Sequence, residues 1–393
     1  MKKTSDNELF FNRTHGETTM ELLWQLSAFL LIIYGGFLCY LLLRLFLSRA
    51  GSRAALPEGV PALPGVSVVI PFRNEAHNLE QLLISLDSQE FKGELEIILV
   101  NDCSKDNYTL AISSHQCRIP VKTIQSVFSD DRGLTSKQQA LDAGIKAAAH
   151  EWVALTDADM RLESRWIDSL VKPTLAGADL VFGHTVIRSG KSAPFFTWFQ
   201  KFQLETLFAT AYTFDRADLA GSCMGNNLLI SRKAYLGIGG FDAMGYSIAE
   251  DLHLLKTFRR NKIRTTAAEP FHATAVTFPA ATISEYFQQL LRWSRGGFRK
   301  NRILLCAGTI LCLQNLYLIL ALTGLLPDHI VLLTSGNLFL TWFFIAAAFS
   351  RIHSKENALF FPPFYVLILV ESLALILLSV IKKPIVWKNR RVA

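Results

Sequence analysis

The chain has 393 residues, a formal net charge of +7 and 50% hydrophobic residues, with a mean hydropathy of +0.27. That is too apolar for an ordinary soluble protein of this length and too charged for a chain buried wholly in lipid, so membrane and soluble parts are expected together. The basic surplus does not argue for nucleic acid: its densest groups, at 295–302 and 382–391, abut apolar runs, where anionic membrane lipids account for them.

Residues 1–22 are mainly polar and lead into an apolar run at 23–47. Crossing a bilayer takes roughly 20 apolar residues, and this run is too long for the h-region of a cleaved signal. Arg44, Arg49 and Arg53 follow with no acid until Glu58, which marks that side as cytoplasmic. Segment 48–65, with Pro57, Pro61 and Pro64, reads as a linker. The six cysteines show no CxxC spacing, so neither a disulfide framework nor a zinc site is suggested.

The domain from 66 to 281 opens with "VSVVIP" at 66–71, a continuous β-branched run of the kind that forms a buried parallel strand. A helix is expected over 75–88, a second strand over 95–100, a helix in "SKQQALDAGIKAAA", and a strand at 152–155 that ends in "TDAD". Strand and helix alternating in this way predict an open α/β sheet. Ligands bind such sheets beyond the carboxyl ends of the strands, which brings Pro71, Glu75, Asp102, Asp157 and Asp159 to one edge. Two carboxylates one residue apart repel each other unless a cation lies between them. Acidic strand ends that converge suit a ligand carrying a metal and a phosphate, because Mg²⁺ prefers hard oxygens and bridges carboxylate to phosphate. Lys137, at a loop-to-helix position, can add positive charge, and the lack of a GxxxxGK run excludes a P-loop. Taken singly, each acid also reads as a helix cap or turn former, Asp102 before "CSKDN" above all; their joint occurrence at successive strand ends favours a ligand site.

Residues 180–187 read as one further strand and 193–214 as a helix. Gly225, Asn226 and Asn227 let the backbone approach a polar ligand closely. A helix starts near 249, and its Glu250 and Asp251 are either ordinary first-turn acids or include a general base held against a bound hydroxyl. In "ISEYFQQLLRWSRGG", residues Ile283, Tyr286, Phe287, Leu290 and Leu291 make one apolar stripe. A helix over 282–297 is therefore expected to lie in the membrane interface with that stripe in lipid. Gln289 and Arg292 then face the crevice with Trp293 at the border; alternatively Trp293 is an interfacial anchor and Arg292 a head-group contact.

Apolar runs at 303–326, 330–349 and 360–381 form a C-terminal membrane region over 303–382, followed by a basic tail at 383–393. The whole is expected to be a multi-pass cell-membrane protein with a cytoplasmic domain. Three crossings would put the basic tail outside, against the positive-inside tendency. The run at 360–381, with Pro362, Pro363 and Glu371, is the candidate for a re-entrant segment.

In this order, "VSVVIPFRNE", "ILVNDCSKDN", "SKQQAL", "TDAD", "GNNLLISRKAYLGIGGFD", "AED" and "QLLRW" resemble the family 2 glycosyltransferases. The similar branch is the membrane-embedded one with cellulose, hyaluronan and poly-N-acetylglucosamine synthases and ceramide glucosyltransferase. The resemblance implies a GT-A fold, an open mixed sheet of Rossmann-like α/β type, with transmembrane helices on both sides. It implies that Pro71, Glu75, Asp102 and Lys137 lie near the nucleotide. Asp157 and Asp159 correspond to the DxD motif that binds the diphosphate and a Mg²⁺ or Mn²⁺. Asp251, next to Glu250, matches the general base, and Gln289, Arg292 and Trp293 match a QxxRW motif at the diphosphate and acceptor. Gly225 and Asn226 fall on the acceptor side. The implied reaction is inverting transfer from a nucleotide-sugar, a UDP-sugar by family precedent, to a lipid or a growing polysaccharide. Two departures stand out: Arg73 occupies a position where many members carry Tyr, and Met224 one where the cellulose type carries Cys. With fewer membrane runs than the polysaccharide synthases, the chain also invites the reading of a lipid acceptor. A silent scaffold that keeps the fold and a transporter with a nucleotide sensor are the competing classes.

Overall fold

Nearly every side chain of Val66–Phe72 (β1) is buried, and Leu95–Asn101 (β2) becomes fully buried from Ile97 onward. The two strands pair in parallel from Val66↔Leu95 to Phe72↔Asn101. The structure, a computed structural model, describes residues 2–48 and 63–352 except 191, 220, 271 and 297–301, together with 354, 364–368, 370–371, 386–387 and 390–391. The linker, the run at 360–381 and the basic tail fall largely outside the described residues. The long first helix, Lys2–Leu47 (α1), precedes β1.

Between β1 and β2 runs Ala76–Asp87 (α2), which buries Leu79, Leu82, Leu83 and Leu86 at helical spacing. Tyr108–Ser113 (α3), Val121–Gln125 (β3), Ser136–Ala147 (α4) and Trp152–Leu155 (β4) follow. The chain then forms Arg161–Leu162 (β5), Trp166–Leu175 (α5), Leu180–Phe182 (β6), His184–Ile187 (β7), Phe195–Arg216 (α6) and Leu228–Ser231 (β8). Arg232–Gly237 (α7), Gly240–Met244 (α8), Glu250–Arg260 (α9), Thr265–Ala267 (β9), Thr274–Thr277 (β10) and Ile283–Gly296 (α10) complete the domain. Arg302–Ala321 (α11) and Asp328–Arg351 (α12) follow as long helices.

The main sheet has the order β3-β2-β1-β4-β8-β6-β9. It is mixed because β8 runs antiparallel to both β4 and β6. A second sheet, β5-β10-β7, lies beside it.

The segment 180–187, expected as one strand, is a correction: it breaks at Gly183 and changes sheet. A Cβ at Gly183 would sit 2.3 Å from Asn227 Oδ1 and 2.5 Å from the Ala273 carbonyl, so only glycine lets the chain pass there. Asn227 then sews the sheets together. Its fully buried amide donates to the carbonyls of His184 (3.1 Å) and Ala273 (2.9 Å) and accepts from Trp166 Nε1 at 2.8 Å.

The expectation for 282–297 also needs correcting. Tyr286, Leu290 and Leu291 are buried inside the protein and not turned to lipid, while Ile283 alone of the stripe is largely exposed. The stripe packs on α6, whose ring of Phe196 meets Tyr286 edge-on at 5.4 Å.

Among the described residues, Thr19–Leu47 and Asp328–Arg351 are long and apolar enough to cross a membrane, and Gly308–Ala321 is a shorter apolar helix. They are tied to one another and to the domain. Asn337 Nδ2 donates to the Leu31 carbonyl at 2.8 Å. Arg44 Nε and Nη2 donate to the Arg216 carbonyl at 3.1 and 2.8 Å, so a cation from α1 caps the carboxyl end of α6.

Replacing Asn227 with Leu removes three buried hydrogen bonds and strands their partners. This should lower stability by about 3 kcal/mol or more, read as a fall in the thermal midpoint of the detergent-solubilised protein. An unchanged midpoint would show that the junction of the two sheets does not depend on this side chain.

Candidate functional site

Parallel strands β1, β2 and β4 end at the same edge, and the antiparallel pairing of Leu155 with Leu228 brings the residues just before β8 to that edge too. Hence Asp102, Asp157, Asp159, Gly225 and Asn226, far apart in sequence, line one cavity of about 1630 Å³. The Asp102 N–H is anchored on the Phe72 carbonyl at 2.8 Å. Arg73 Nη1 donates to the Asp102 carbonyl at 3.0 Å, so the ends of β1 and β2 are cross-linked.

Lys137 reaches this edge from the first turn of α4. Thr135 and Gln138 form a capping box there, each side chain meeting the other's backbone N–H at 3.1 Å. Gln138 also donates to the Gly245 carbonyl at 3.0 Å and accepts from the Ser247 N–H at 3.2 Å, which fixes α4 against the loop that leads into α9. As a result the Lys137 ammonium sits 2.9 Å from Asp157 Oδ1 and 2.9 Å from Glu250 Oε1. Burial works against its charge, but the Asp157 and Glu250 carboxylates outweigh that and raise its pKa.

Asp251 is held by backbone donors. The N–H groups of Gly225 and Leu252 reach its Oδ2 and Oδ1 at 2.9 and 2.7 Å. A Cβ on Gly225 would lie 3.0 Å from Asp251 Oδ2, so the close approach depends on glycine. Burial, then the neighbouring Glu250 carboxylate, push the Asp251 pKa up to about 6, against the pull of Lys137 and the two N–H groups. Asn226 accepts from Thr185 Oγ1 at 2.8 Å.

Helix α10 closes the opposite wall with Gln289, Arg292 and Trp293. Its carboxyl end packs tightly on the start of α9: a Cβ at Gly296 would stand 2.9 Å from Ala249 Cβ. The cavity continues past α10 between α1, α6 and α12, where Phe37, Leu38, Leu41, Leu207, Phe344 and Ile345 form its walls.

Two expected residues stand apart from this lining. Pro71 lies within β1, and Glu75 is buried ahead of α2, where Asn78 Nδ2 donates to it at 2.8 Å. Conversely, Arg73, Thr185 and Cys223 line the cavity without having been singled out as ligand contacts. The only sequence signal among them is Arg73, which departs from the family pattern. Away from the cavity, Asp87, His115 and Cys117 place ligand atoms within 4.8 Å of one another, a grouping that cysteine spacing does not reveal. Arg118 Nε already meets Asp87 Oδ2 there at 3.3 Å.

Curated relatives share parts of the chain. An N-acetylglucosaminyltransferase of Mesorhizobium japonicum is 26% identical over 280 residues, covering 68% of this chain and 63% of the relative. A dolichol-phosphate mannosyltransferase of Pyrococcus furiosus is 31% identical over 126 residues, 32% of this chain and 34% of the relative. The chain thus spans less than two thirds of the length of either. Among solved structures, the mannosyltransferase PcManGT of Pyrobaculum calidifontis, in complex with GDP-Man and Mn²⁺, superposes with a TM-score of 0.49 at 17% identity, covering 90% of this chain and 98% of that one. The family model for glycosyl transferase family 21 matches residues 28–393, and the chain belongs to that family.

Proposed function

We propose that the protein is a membrane-bound inverting glycosyltransferase that moves a sugar from a nucleotide-sugar, a UDP-sugar, to a hydroxyl of a lipid acceptor. One observation carries this reading. The cavity that gathers Asp157, Asp159, Asp251 and Arg292 also runs on between apolar helices, so a hydroxyl borne by a lipid has a route to the carboxylates. Exposed Leu22, Leu23, Leu26, Phe29, Ile32 and Ile33 on α1 support a bilayer setting, and the arginines after α1 support a cytoplasmic domain.

Asp157 and Asp159 offer hard carboxylate oxygens, the donor set that Mg²⁺ and Mn²⁺ take. The fit is supported by the charge Asp157 already attracts: a cation, the Lys137 ammonium, stands 2.9 Å from its Oδ1. When bound, a divalent ion supplies neutralisation of the diphosphate. On the protein side, Arg292 and Lys137 add positive charge where negative charge grows on the departing nucleoside diphosphate. Asp251 takes the proton from the acceptor hydroxyl. The freed oxygen forms its bond to the anomeric carbon as the bond to the diphosphate breaks on the opposite face. The N–H groups of Gly225 and Leu252 keep the Asp251 carboxylate oriented for that transfer.

A base must be ionised, so turnover should fall as pH drops through about 6, the value to which burial and Glu250 push Asp251. Lys137 holds that value down, and in Lys137→Met the acid limb should therefore move to higher pH; a limb that stays put would remove Asp251 as the titrating group.

The deciding assay measures nucleoside diphosphate release by detergent-purified protein with UDP- and GDP-sugars, with crude lipid extract added or omitted. Lipid-dependent turnover with one UDP-sugar is expected, and Asp251→Asn should lower it by on the order of 10²–10⁴. High-mass product formed without lipid would favour a polysaccharide acceptor, and no release with any donor would leave a silent scaffold. Chelation with EDTA should abolish turnover, Mn²⁺ or Mg²⁺ should restore it, and Asp159→Asn should raise the metal concentration required. Full activity in EDTA would exclude the metal.

A further inference from the structure

Glu371 comes from the far end of the chain, yet it is 9% exposed and borders the same cavity as the strand-end carboxylates. A carboxyl group in an apolar run is seldom there without a function. Both of its oxygens are engaged by protein groups. Gln203 Nε2, on α6, donates to Oε1 at 2.5 Å. The Tyr286 hydroxyl, on α10, lies 2.9 Å from Oε2 and 2.7 Å from Gln203 Oε1, so its single proton serves two acceptors.

The same face of α6 grips the approach to α10 one turn earlier. Gln200 donates to the Ala280 carbonyl at 3.2 Å and accepts from the Ala280 N–H at 2.7 Å. Tyr286 is thus pinned in the first turn of a helix whose next two turns carry Gln289, Arg292 and Trp293. A helix moves as a rigid unit over so short a span, so whatever fixes Tyr286 fixes the reach of those side chains.

We propose that Glu371 is a positioning residue: with Gln203 and Tyr286 it locks α10 against α6 and so aims Arg292 at the nucleoside diphosphate. Because both carboxylate oxygens are already used, its role is to hold the helix and not to contact substrate. The inference rests on the reading of Arg292 as a diphosphate contact, but the lock itself does not.

Two measurements on the full-length protein separate these claims: amide hydrogen exchange over 283–296, and UDP affinity by calorimetry with Mn²⁺ present. Glu371→Leu and, independently, Tyr286→Phe should speed exchange across α10 while leaving β4 and α9 protected. The same variants should weaken UDP binding about tenfold, as expected when hydrogen bonds to a buried carboxyl are lost. Glu371→Gln should stay near the wild type, since its oxygen can accept from Gln203 and its NH₂ can donate to the Tyr286 oxygen. In an Arg292→Ala background, Glu371→Leu should weaken UDP binding no further, because the lock acts through Arg292. Unchanged exchange in both Glu371→Leu and Tyr286→Phe would overturn the proposal, as would losses in affinity that add to that of Arg292→Ala. If the wild type binds no UDP while α10 loosens in the variants, the lock stands and the nucleotide-sugar reading fails.

Discussion

The ion bridge from Asp157 through Lys137 to Glu250 is the contact on which the site depends. Topology forces the problem it solves. Parallel β1, β2 and β4 and antiparallel β8 deliver their functional residues to one edge, and α9 starts there with two more acids. Carboxylates gathered in this way repel, and taking them out of water makes the repulsion stronger. Lys137 answers with one ammonium at 2.9 Å from each of two carboxylates. It reaches that point because the Thr135–Gln138 capping box and the ties from Gln138 to Gly245 and Ser247 fix the first turn of α4.

Much of this edge was legible in the sequence. Continuous apolar runs announce β1, β2 and β4, and the acids that come within a few residues of the end of β2 and β4 have nowhere to lie except the carboxyl edge of the sheet. The residues Asp102, Asp157 and Asp159 follow from that rule without any three-dimensional information. Gln289, Arg292 and Trp293 likewise line the cavity, although Tyr286 and Leu290 of the apolar stripe border it as well.

What stayed hidden has a common cause: it is decided by tertiary partners. Strand β3 is an edge strand in which no residue is buried, so it shows no apolar run to recognise. The break at Gly183 is set by Asn227 and Ala273, which lie about 44 and 90 positions away in the chain. The stripe of α10 has the amphipathic pattern of an interfacial helix, but the pattern says only that one face is apolar. It does not say whether lipid or α6 covers that face, and the aromatic and amide residues of α6 decide for the protein. Arg73 shows in the sequence only as a departure from the family pattern, since its use as a tie to the Asp102 carbonyl exists only once β1 and β2 are paired.

The electrostatics of Asp251 connect this architecture to the proposed transfer. Burial and Glu250 lift its pKa towards about 6, which makes it a stronger base than an exposed aspartate, while Lys137 and two backbone N–H groups keep it from being lifted further. A proton acceptor works best when its pKa approaches the operating pH without passing it. The opposing forces on Asp251 suit that role in the proposed transfer: burial and its neighbour on α9 raise its pKa, and Lys137 on α4 lowers it. The wall that closes over the site is α10, pressed onto Ala249 at Gly296 and fastened at its other end through Tyr286. The reach of Arg292 proposed for the diphosphate therefore depends on how firmly one helix is seated.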